Sequence, residues 1–235
     1  MPIIAVVGSR KSGKTTTVET IVRGLTQKGY RVTTAKHIPE TNFTIDTEGK
    51  DTWRHAKAGA HTVVSVAPNE VAIIKKVDTA KYRLDEITKE CPEDADVTIL
   101  EGFTKLVAQD PSVLKVVTVK AVDEIRKATD RFEPILTFAG SIKTQEVPPR
   151  VPYIDALKQP EEMIEFVEKA LTSRAKKEEK SLERLAIQIN GKPLPINPFV
   201  QRMIRNPLLA MVSTLKKTDI KGNETVSVTI EKPHK

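Results

Sequence analysis

Cysteine, long apolar runs and aromatic residues are all scarce in this 235-residue sequence. Its single cysteine, Cys91, excludes a disulfide framework or a cysteine-rich metal site within the chain. No apolar run approaches the ~20 residues that a membrane-spanning helix needs. The amino terminus, MPIIAVVGS, lacks the charged region of a signal peptide. We therefore expect a soluble protein in a reducing compartment, the cytoplasm.

Aromatic residues make up 4% of a chain that is nevertheless basic, with 38 Lys and Arg against 31 Asp and Glu. A net charge of +7 makes nucleic acid the first partner to consider. No zinc finger, RNP-like segment or long basic run accompanies that charge. The composition therefore disfavours nucleic acid and fits a phosphate-bearing ligand or an acidic protein partner.

Strand and helix patterns alternate along the first 140 residues. Residues 3–7 form a continuous apolar run, typical of a strand buried on both faces. Val18, Ile21, Val22 and Leu25 then repeat at helical spacing. Further strand patterns lie at 31–35, 62–66, 71–74, 96–100, 114–121 and 135–139, and helix patterns at 51–58 and 79–90. The alternation predicts a three-layer α/β fold with a mostly parallel sheet.

Residues 6–17, VVGSRKSGKTTT, contain the pattern G-x-x-x-x-G-K-T between an apolar strand and an amphipathic helix. Glycines let successive N–H groups point inward, and the helix amino terminus adds its positive dipole end. This context predicts a P-loop NTPase fold, with Lys14 at the β- and γ-phosphates and Thr15 on Mg²⁺. The predicted nucleotide-binding residues of this loop are Gly8, Ser9, Arg10, Lys11, Ser12, Gly13, Lys14, Thr15 and Thr16.

A carboxylate should face this metal from a neighbouring strand. Glu101 ends one predicted strand, and Asp96 begins it about 15 Å away at ~3.3 Å per residue. Ligand sites lie at the carboxyl ends of such strands, so only Glu101 can approach the loop. We predict that Glu101 binds Mg²⁺, or orients the attacking water, and that it is catalytic together with Lys14. The alternative is an exposed acid at a strand end.

A second polar segment, residues 35–60, follows the second predicted strand. Long polar loops often carry function. We predict Asp46 as a further catalytic and Mg²⁺-binding acid, and Lys50 and Arg54 as phosphate contacts. Asp51 is an alternative metal-side acid, or simply the N-cap of a helix. The nearby histidines lack the spacing and the cysteines of a zinc site.

Nucleotide identity does not follow from these residues, because the guanine-reading motif Asn-Lys-x-Asp is absent. However, GSRKSGKTTT, the KH after the second strand, IDTEGKDTWRHAKAGA and ILEGFTK resemble, in order and spacing, the molybdopterin-guanine dinucleotide biosynthesis protein B (MobB) family. The resemblance covers roughly residues 1–139. By matching position it carries over Gly8, Gly13, Lys14, Thr15 and Thr16 as nucleotide-binding, with Glu101 as the opposing acid.

The resemblance implies a GTP-binding protein with weak GTPase activity and Mg²⁺ as cofactor. Family members associate with a MobA-like nucleotidyltransferase that joins GMP to molybdopterin, forming the guanine dinucleotide form of the molybdenum cofactor. It also implies a homodimer and makes the molybdenum cofactor itself a candidate ligand.

The ending departs from that family pattern. Residues 182–235 carry nine Lys and Arg against four Asp and Glu, and they have no counterpart in it. A strand pattern at 185–189, a helical pattern from 197 and a strand pattern at 225–230 predict a basic α+β module. We therefore divide the chain into a nucleotide-binding domain (1–158), a helix and linker (159–181) and this module (182–235).

Three other classes use the same loop. A small-molecule kinase would use ATP, with Asp46 or Asp51 as base on a substrate hydroxyl. A metal-insertion GTPase should carry a Cys/His cluster, which one cysteine does not supply. A structural phosphate binder would keep its function after Lys14→Ala.

Overall fold

The computed structural model describes residues 1–92, 94–140, 142, 151–182, 187–189, 192–195, 200, 203–204, 207–208 and 211. Two compact units divide the chain, Met1–Ala170 and Leu171–Lys235. The strands are β1 (Ile3–Gly8), β2 (Val32–Lys36), β3 (Thr62–Ala67), β4 (Glu70–Lys75), β5 (Val97–Glu101), β6 (Val113–Val119), β7 (Ile135–Gly140), β8 (Tyr153–Ile154), β9 (Ile187–Ile189) and β10 (Lys192–Leu194). The helices are α1 (Lys14–Gln27), α2 (Asp51–Lys57), α3 (Leu84–Lys89), α4 (Thr104–Val107), α5 (Val122–Arg131) and α6 (Pro160–Leu182).

A six-stranded sheet forms the centre of the first unit, in the order β2-β5-β1-β6-β7-β8. Every neighbouring pair of these strands runs parallel. Parallel strands need helical crossovers, which cover both faces of the sheet. Accordingly, the β1 side chains from Ile4 to Val7 are completely buried. The predicted α/β fold with a mostly parallel sheet is confirmed.

Alternate residues of β1 face two different helical layers. Ala5 and Val7 belong to a core cluster that also contains Ile125 and Ala128 of α5. Because successive strand residues point to opposite faces, Ile4 and Val6 face the other layer. Helices α1 and α6 meet at Gly24, where an added Cβ would lie 2.2 Å from the Ile164 side chain. A side chain at this α1 position would therefore displace the Ile164 side chain or the helix that carries it.

The position of β3 and β4 differs from the sequence prediction, which counted them with the other strands of the main sheet. Both predicted strands exist, but they form a separate antiparallel hairpin rather than part of the main sheet. The two-residue connection between them explains this, because parallel strands require a long crossover. Two local differences occur as well: α3 is shorter than the predicted 79–90, and Lys50 rather than Asp51 occupies the N-cap of α2. Asp51 is instead the first helical residue, where its negative charge interacts favourably with the positive end of the helix dipole.

The second unit contains a short antiparallel hairpin, β9–β10, in which Ile187 pairs with Leu194. Strand β9 lies within the predicted strand at 185–189. The described positions from 200 to 211 are helical, as the apolar spacing predicts. The strand predicted at 225–230 lies outside the described residues, so the basic module and its boundaries stay predictions. Within the described part of the chain, no helix has the length and apolar character needed to cross a membrane.

Candidate phosphate-binding site

The loop between β1 and α1 is built around two glycines with positive φ. Gly8 has φ +151° and Gly13, the N-cap of α1, has φ +91°. A Cβ on Gly8 would lie 2.2 Å from the backbone oxygen of Thr118, whereas one on Gly13 would meet nothing within 4 Å. Gly8 is therefore required by close packing against β6, and Gly13 by its backbone conformation alone. The loop leaves β1 and enters α1 as a phosphate cradle does.

Lys14 folds back over this loop. Its Nζ donates hydrogen bonds to the backbone oxygens of Gly8 at 3.1 Å and Ser9 at 2.6 Å. Burial lowers the pKa of Lys14, and the charges of Lys36 and Lys120 lower it further, while Glu101 opposes them. A partly desolvated ammonium gains from an anionic partner. A phosphate bound in the loop would supply such a partner.

A buried pair of hydroxyls fixes the loop to β6. Ser12, only 5% exposed, lies with its Oγ 2.6 Å from Oγ1 of Thr118. The same two hydroxyls also contact backbone oxygens, Ser12 that of Ser9 at 2.8 Å and Thr118 that of Val7 at 3.1 Å. The two hydroxyls carry one proton each, and they make three contacts between them. At any moment, therefore, only two of the three contacts hold a proton. The tie holds the middle of the loop against the sheet.

Glu101 lies beside the loop, as the sequence argument places it. Strands β1 and β5 are parallel neighbours with Val6 opposite Glu101, so their carboxyl ends meet at one edge. Thr15 Oγ1 donates to Oε1 of Glu101 at 2.8 Å, and Lys36 Nζ lies 3.2 Å from the same oxygen. The Glu101 side chain is 12% exposed. The structure therefore brings together Lys14, Thr15 and Glu101.

The donor set at this edge fits Mg²⁺. A hydroxyl and a carboxylate are the hard oxygen ligands that this ion takes, and it usually keeps several waters besides one or two carboxylates. Among the described residues, no cluster of three or more His, Cys, Asp or Glu could hold a metal alone. A metal here would therefore depend on Thr15, Glu101, water and phosphate oxygens.

Among the described residues, no hydrogen bond or ion pair joins Asp46, Lys50 or Arg54 to Lys14, Thr15 or Glu101. Asp46 Oδ1 accepts from the Thr47 backbone N–H at 2.8 Å and from Thr52 Oγ1 at 2.9 Å. Exposed Lys50 precedes α2, and exposed Arg54 lies 3.8 Å from the Asp51 carboxylate. In the described part of the chain, their hydrogen bonds and ion pairs stay within this segment. Their nucleotide-site roles stay predictions.

The remaining loop residues are placed as follows. Ser9 donates to Oε1 of Glu124 at 3.0 Å, and Arg10 and Lys11 are exposed. Thr16 lies in the first turn of α1, where its backbone oxygen accepts from Thr20 Oγ1 at 3.0 Å.

Sequence reasoning did not predict three contacts at this end of the sheet, although Lys36 belongs to the KH motif that follows the second strand. Thr118 packs against Gly8, Lys36 pairs with Glu101, and Glu124 bridges the Ser9 hydroxyl and the Lys120 backbone N–H. A usable signal was present for Thr118, a polar residue near the carboxyl end of a strand whose other residues, apart from Lys115, are apolar. Glu101 was selected because ligand sites lie at the carboxyl ends of parallel strands. The same rule applies to β6, the strand on the other side of β1.

The model of one protein family, "Molybdopterin guanine dinucleotide synthesis protein B" (MobB), matches residues 3–130 of this chain. That match spans more than half of the chain and runs from β1 nearly to the end of α5. The chain belongs to the MobB family. The phosphate loop, Glu101 and Thr118 all lie within the matched region.

Two relatives show how far the MobB likeness extends. A molybdopterin-guanine dinucleotide biosynthesis adapter protein of Haemophilus influenzae is 32% identical over 105 residues, 44% of this chain and 57% of that protein. The chain thus matches little more than half of that relative. A putative adapter protein of Methanocaldococcus jannaschii is 25% identical over 241 residues, 98% of each chain. The ending that lacks a counterpart in the family pattern therefore has one in this relative.

Solved MobB structures agree with the fold. A crystal structure of molybdopterin-guanine biosynthesis protein B is 26% identical, covers 72% of this chain and 99% of its own, and superposes with a TM-score of 0.55. A MobB homologue from Bacillus stearothermophilus, at 22% identity and TM-score 0.55, shares the fold over 74% of this chain and 99% of its own. The α/β P-loop fold predicted from the sequence is that of these proteins.

Proposed function

We propose that this MobB-family chain binds GTP with Mg²⁺, hydrolyses it slowly, and acts as an accessory protein in forming molybdopterin guanine dinucleotide. The observation that carries the proposal is the Thr15–Glu101 hydrogen bond beside a Gly8–Gly13 cradle. P-loop NTPases place a hydroxyl and an acid together in this way to hold a nucleotide-bound metal. The names of the two adapter relatives support the pathway.

The loop backbone, Lys14, Thr15 and Glu101 have distinct parts in this proposal. Backbone N–H groups of the loop and the α1 terminus bind the phosphates. Lys14 leaves the carbonyls of Gly8 and Ser9 for the β- and γ-phosphate oxygens. Thr15 and Glu101 hold Mg²⁺, which supplies positive charge near those oxygens. Alternatively, Glu101 orients the attacking water.

The accessory role requires a second protein. The chain associates with a MobA-like nucleotidyltransferase and assists its transfer of GMP to molybdopterin. Binding of GTP changes the segment from Lys36 to Gly59, which follows β2 at the same sheet edge as Glu101. A homodimer and a direct contact with the molybdenum cofactor belong to the same proposal, and both rest on family resemblance.

The test compares binding and hydrolysis of GTP and ATP, each with Mg²⁺, by wild type, Lys14→Ala and Lys89→Ala. Lys89 is a matched control, because its exposed ion pair with Asp85 lies on α3. We expect GTP preference and slow hydrolysis in wild type and in Lys89→Ala, and loss of both in Lys14→Ala. ATP preference, with turnover only when a hydroxyl acceptor is added, would instead identify a small-molecule kinase.

The accessory role has its own test. Addition of the chain with GTP to a MobA-like enzyme and molybdopterin should raise the rate of labelled GMP incorporation. Lys14→Ala should give no increase. An equal increase from the variant would show that assistance does not depend on the phosphate loop.

A further inference from the structure

One carboxylate oxygen of Glu101 serves two partners. Oε1 accepts from Thr15 Oγ1 at 2.8 Å and lies 3.2 Å from the ammonium nitrogen of Lys36. The Lys36 side chain is 54% exposed and that of Glu101 only 12%. A largely buried acid is therefore neutralised by a lysine that has free access to water. Such a lysine can leave its partner without being trapped in an apolar environment.

Lys36 is also the last residue of β2, so its position affects the chain that follows. The next residue, His37, donates its backbone N–H to the Glu101 backbone oxygen at 2.9 Å. Its ring lies 5.4 Å from that of Phe103, centroid to centroid. A Cβ on Gly102 would lie 3.3 Å from the His37 Cβ, so the two segments pack closely. The start of the long polar segment is thus attached to the turn that carries Glu101.

A Mg²⁺ ion held by Glu101 would compete with the Lys36 ammonium for this oxygen. Both are cations, and a metal held by Thr15 and Glu101 would lie within a few ångströms of Nζ, where their repulsion is large. We propose that Lys36 is a positioning residue that occupies Glu101 in the nucleotide-free chain and is displaced when Mg²⁺ and GTP engage Glu101 and Thr15. The displacement removes the Lys36–Glu101 ion pair next to the His37 backbone hydrogen bond, and so weakens the attachment of residues 37–50 to the Glu101 turn. This inference rests on the proposed function.

The first arm of the test needs no ligand. Backbone amide hydrogen exchange of residues 37–50 is measured in nucleotide-free wild type, Lys36→Ala, Lys36→Arg and Lys120→Ala. Lys120 is the matched control, because its charge also acts on Lys14. Its hydrogen bond to Glu124 is made by the backbone N–H, which the substitution keeps. We expect about tenfold faster exchange in Lys36→Ala alone. Equal exchange in Lys36→Ala and Lys120→Ala would overturn the attachment.

The second arm measures how much Mg²⁺ is needed for half-maximal GTP binding. Lys36→Ala should need about three- to tenfold less Mg²⁺ than wild type, and Lys36→Arg should resemble wild type. In wild type, Mg²⁺ with GTP should also speed exchange of residues 37–50, and in Lys36→Ala it should add nothing. An equal Mg²⁺ shift in Lys120→Ala would reveal a general charge effect and overturn the competition.

The two arms separate this inference from the proposed function. If wild type binds GTP through Lys14 but Lys36→Ala behaves like Lys120→Ala, the inference fails and the function stands. If wild type binds no GTP, the proposed function and the displacement both fail, whereas the exchange arm still decides whether Lys36 attaches the segment.

Discussion

The central sheet and the β3–β4 hairpin use similar residues with opposite results. Both are rich in valine and isoleucine, yet Ile4 of β1 is completely buried while Ile73 of β4 is 60% exposed. Helices cover both faces of the parallel sheet, whereas the hairpin is a separate two-stranded sheet. Apolar composition therefore predicts strands but not the core, because burial depends on what packs against each face.

Register explains which hairpin residues remain exposed. Val64 lies opposite Ile73, and Val66 lies opposite Val71. All four share one face because strand residues alternate, and all four are exposed. Val63, on the opposite face, is buried. Ser12 and Thr118 show the reverse: they are polar but buried, at the carboxyl end of the central strands.

The largest expected effect separates the two isoleucines. Ile4→Ala removes a fully buried side chain and should lower the free energy of unfolding by about 2–5 kcal/mol. Ile73→Ala changes an exposed side chain and should stay within about 0.5 kcal/mol of wild type. Urea denaturation of both variants gives the comparison. Equal losses would mean that the hairpin face is covered in solution.

The next effect contrasts the two loop glycines. Gly8→Ala places a Cβ 2.2 Å from a β6 backbone oxygen and should cost about 2–3 kcal/mol of stability, with loss of GTP binding. Gly13→Ala meets no atom within 4 Å, so only its positive φ opposes it, at about 1 kcal/mol. Denaturation and GTP titration measure both. If Gly8→Ala proved as mild as Gly13→Ala, the loop would not press against β6.

A smaller effect tests the hydroxyl tie. Thr118→Val keeps the shape of the side chain but leaves the buried Ser12 hydroxyl with one partner fewer, so it should cost about 1–2 kcal/mol. Thr98→Val is the control: Thr98 is equally buried, but its hydroxyl contacts the Met1 sulfur, a weak acceptor. Thermal unfolding should show a clear drop for Thr118→Val alone. Matching drops would assign the effect to strand packing.

The smallest effect is the pH dependence from Lys14, whose pKa is lowered in the folded chain. Between that lowered pKa and the ordinary value of 10.5, the unfolded chain binds more protons. The stability of the nucleotide-free protein should therefore rise with pH through this window. Lys14→Met should remove that contribution. Denaturation of both proteins across the window measures it, and identical slopes would contradict it.

The sequence was most informative where a local pattern meets a general rule. The glycine pattern lies between a strand and a helix, and Glu101 follows from the rule that sites lie at the carboxyl edge. The contacts that Thr118, Lys36 and Glu124 make could not be found in this way. Ser12 and Thr118 are 106 residues apart, and their contact depends on a strand order that local periodicity does not encode.

Asp46 is a residue whose position the sequence pattern did not predict. Its residue type and its place in a long polar loop suggested a metal ligand. In the structure its carboxylate bonds locally to Thr47 and Thr52, an arrangement that short polar side chains readily adopt, and its role as a metal ligand stays a prediction. The path of such a loop follows neither the helical nor the strand period, so the sequence did not determine its position.

The most direct test of the account is the effect of Mg²⁺ on GTP affinity in wild type and in Glu101→Gln, measured by isothermal titration calorimetry. Wild type should bind GTP more tightly with Mg²⁺ than with a chelator. Glu101→Gln should still bind GTP in the presence of the chelator. Its affinity should gain little from Mg²⁺, because the metal loses one of its two proposed protein ligands, Thr15 and Glu101. An undiminished gain from Mg²⁺ in Glu101→Gln would contradict the site as described.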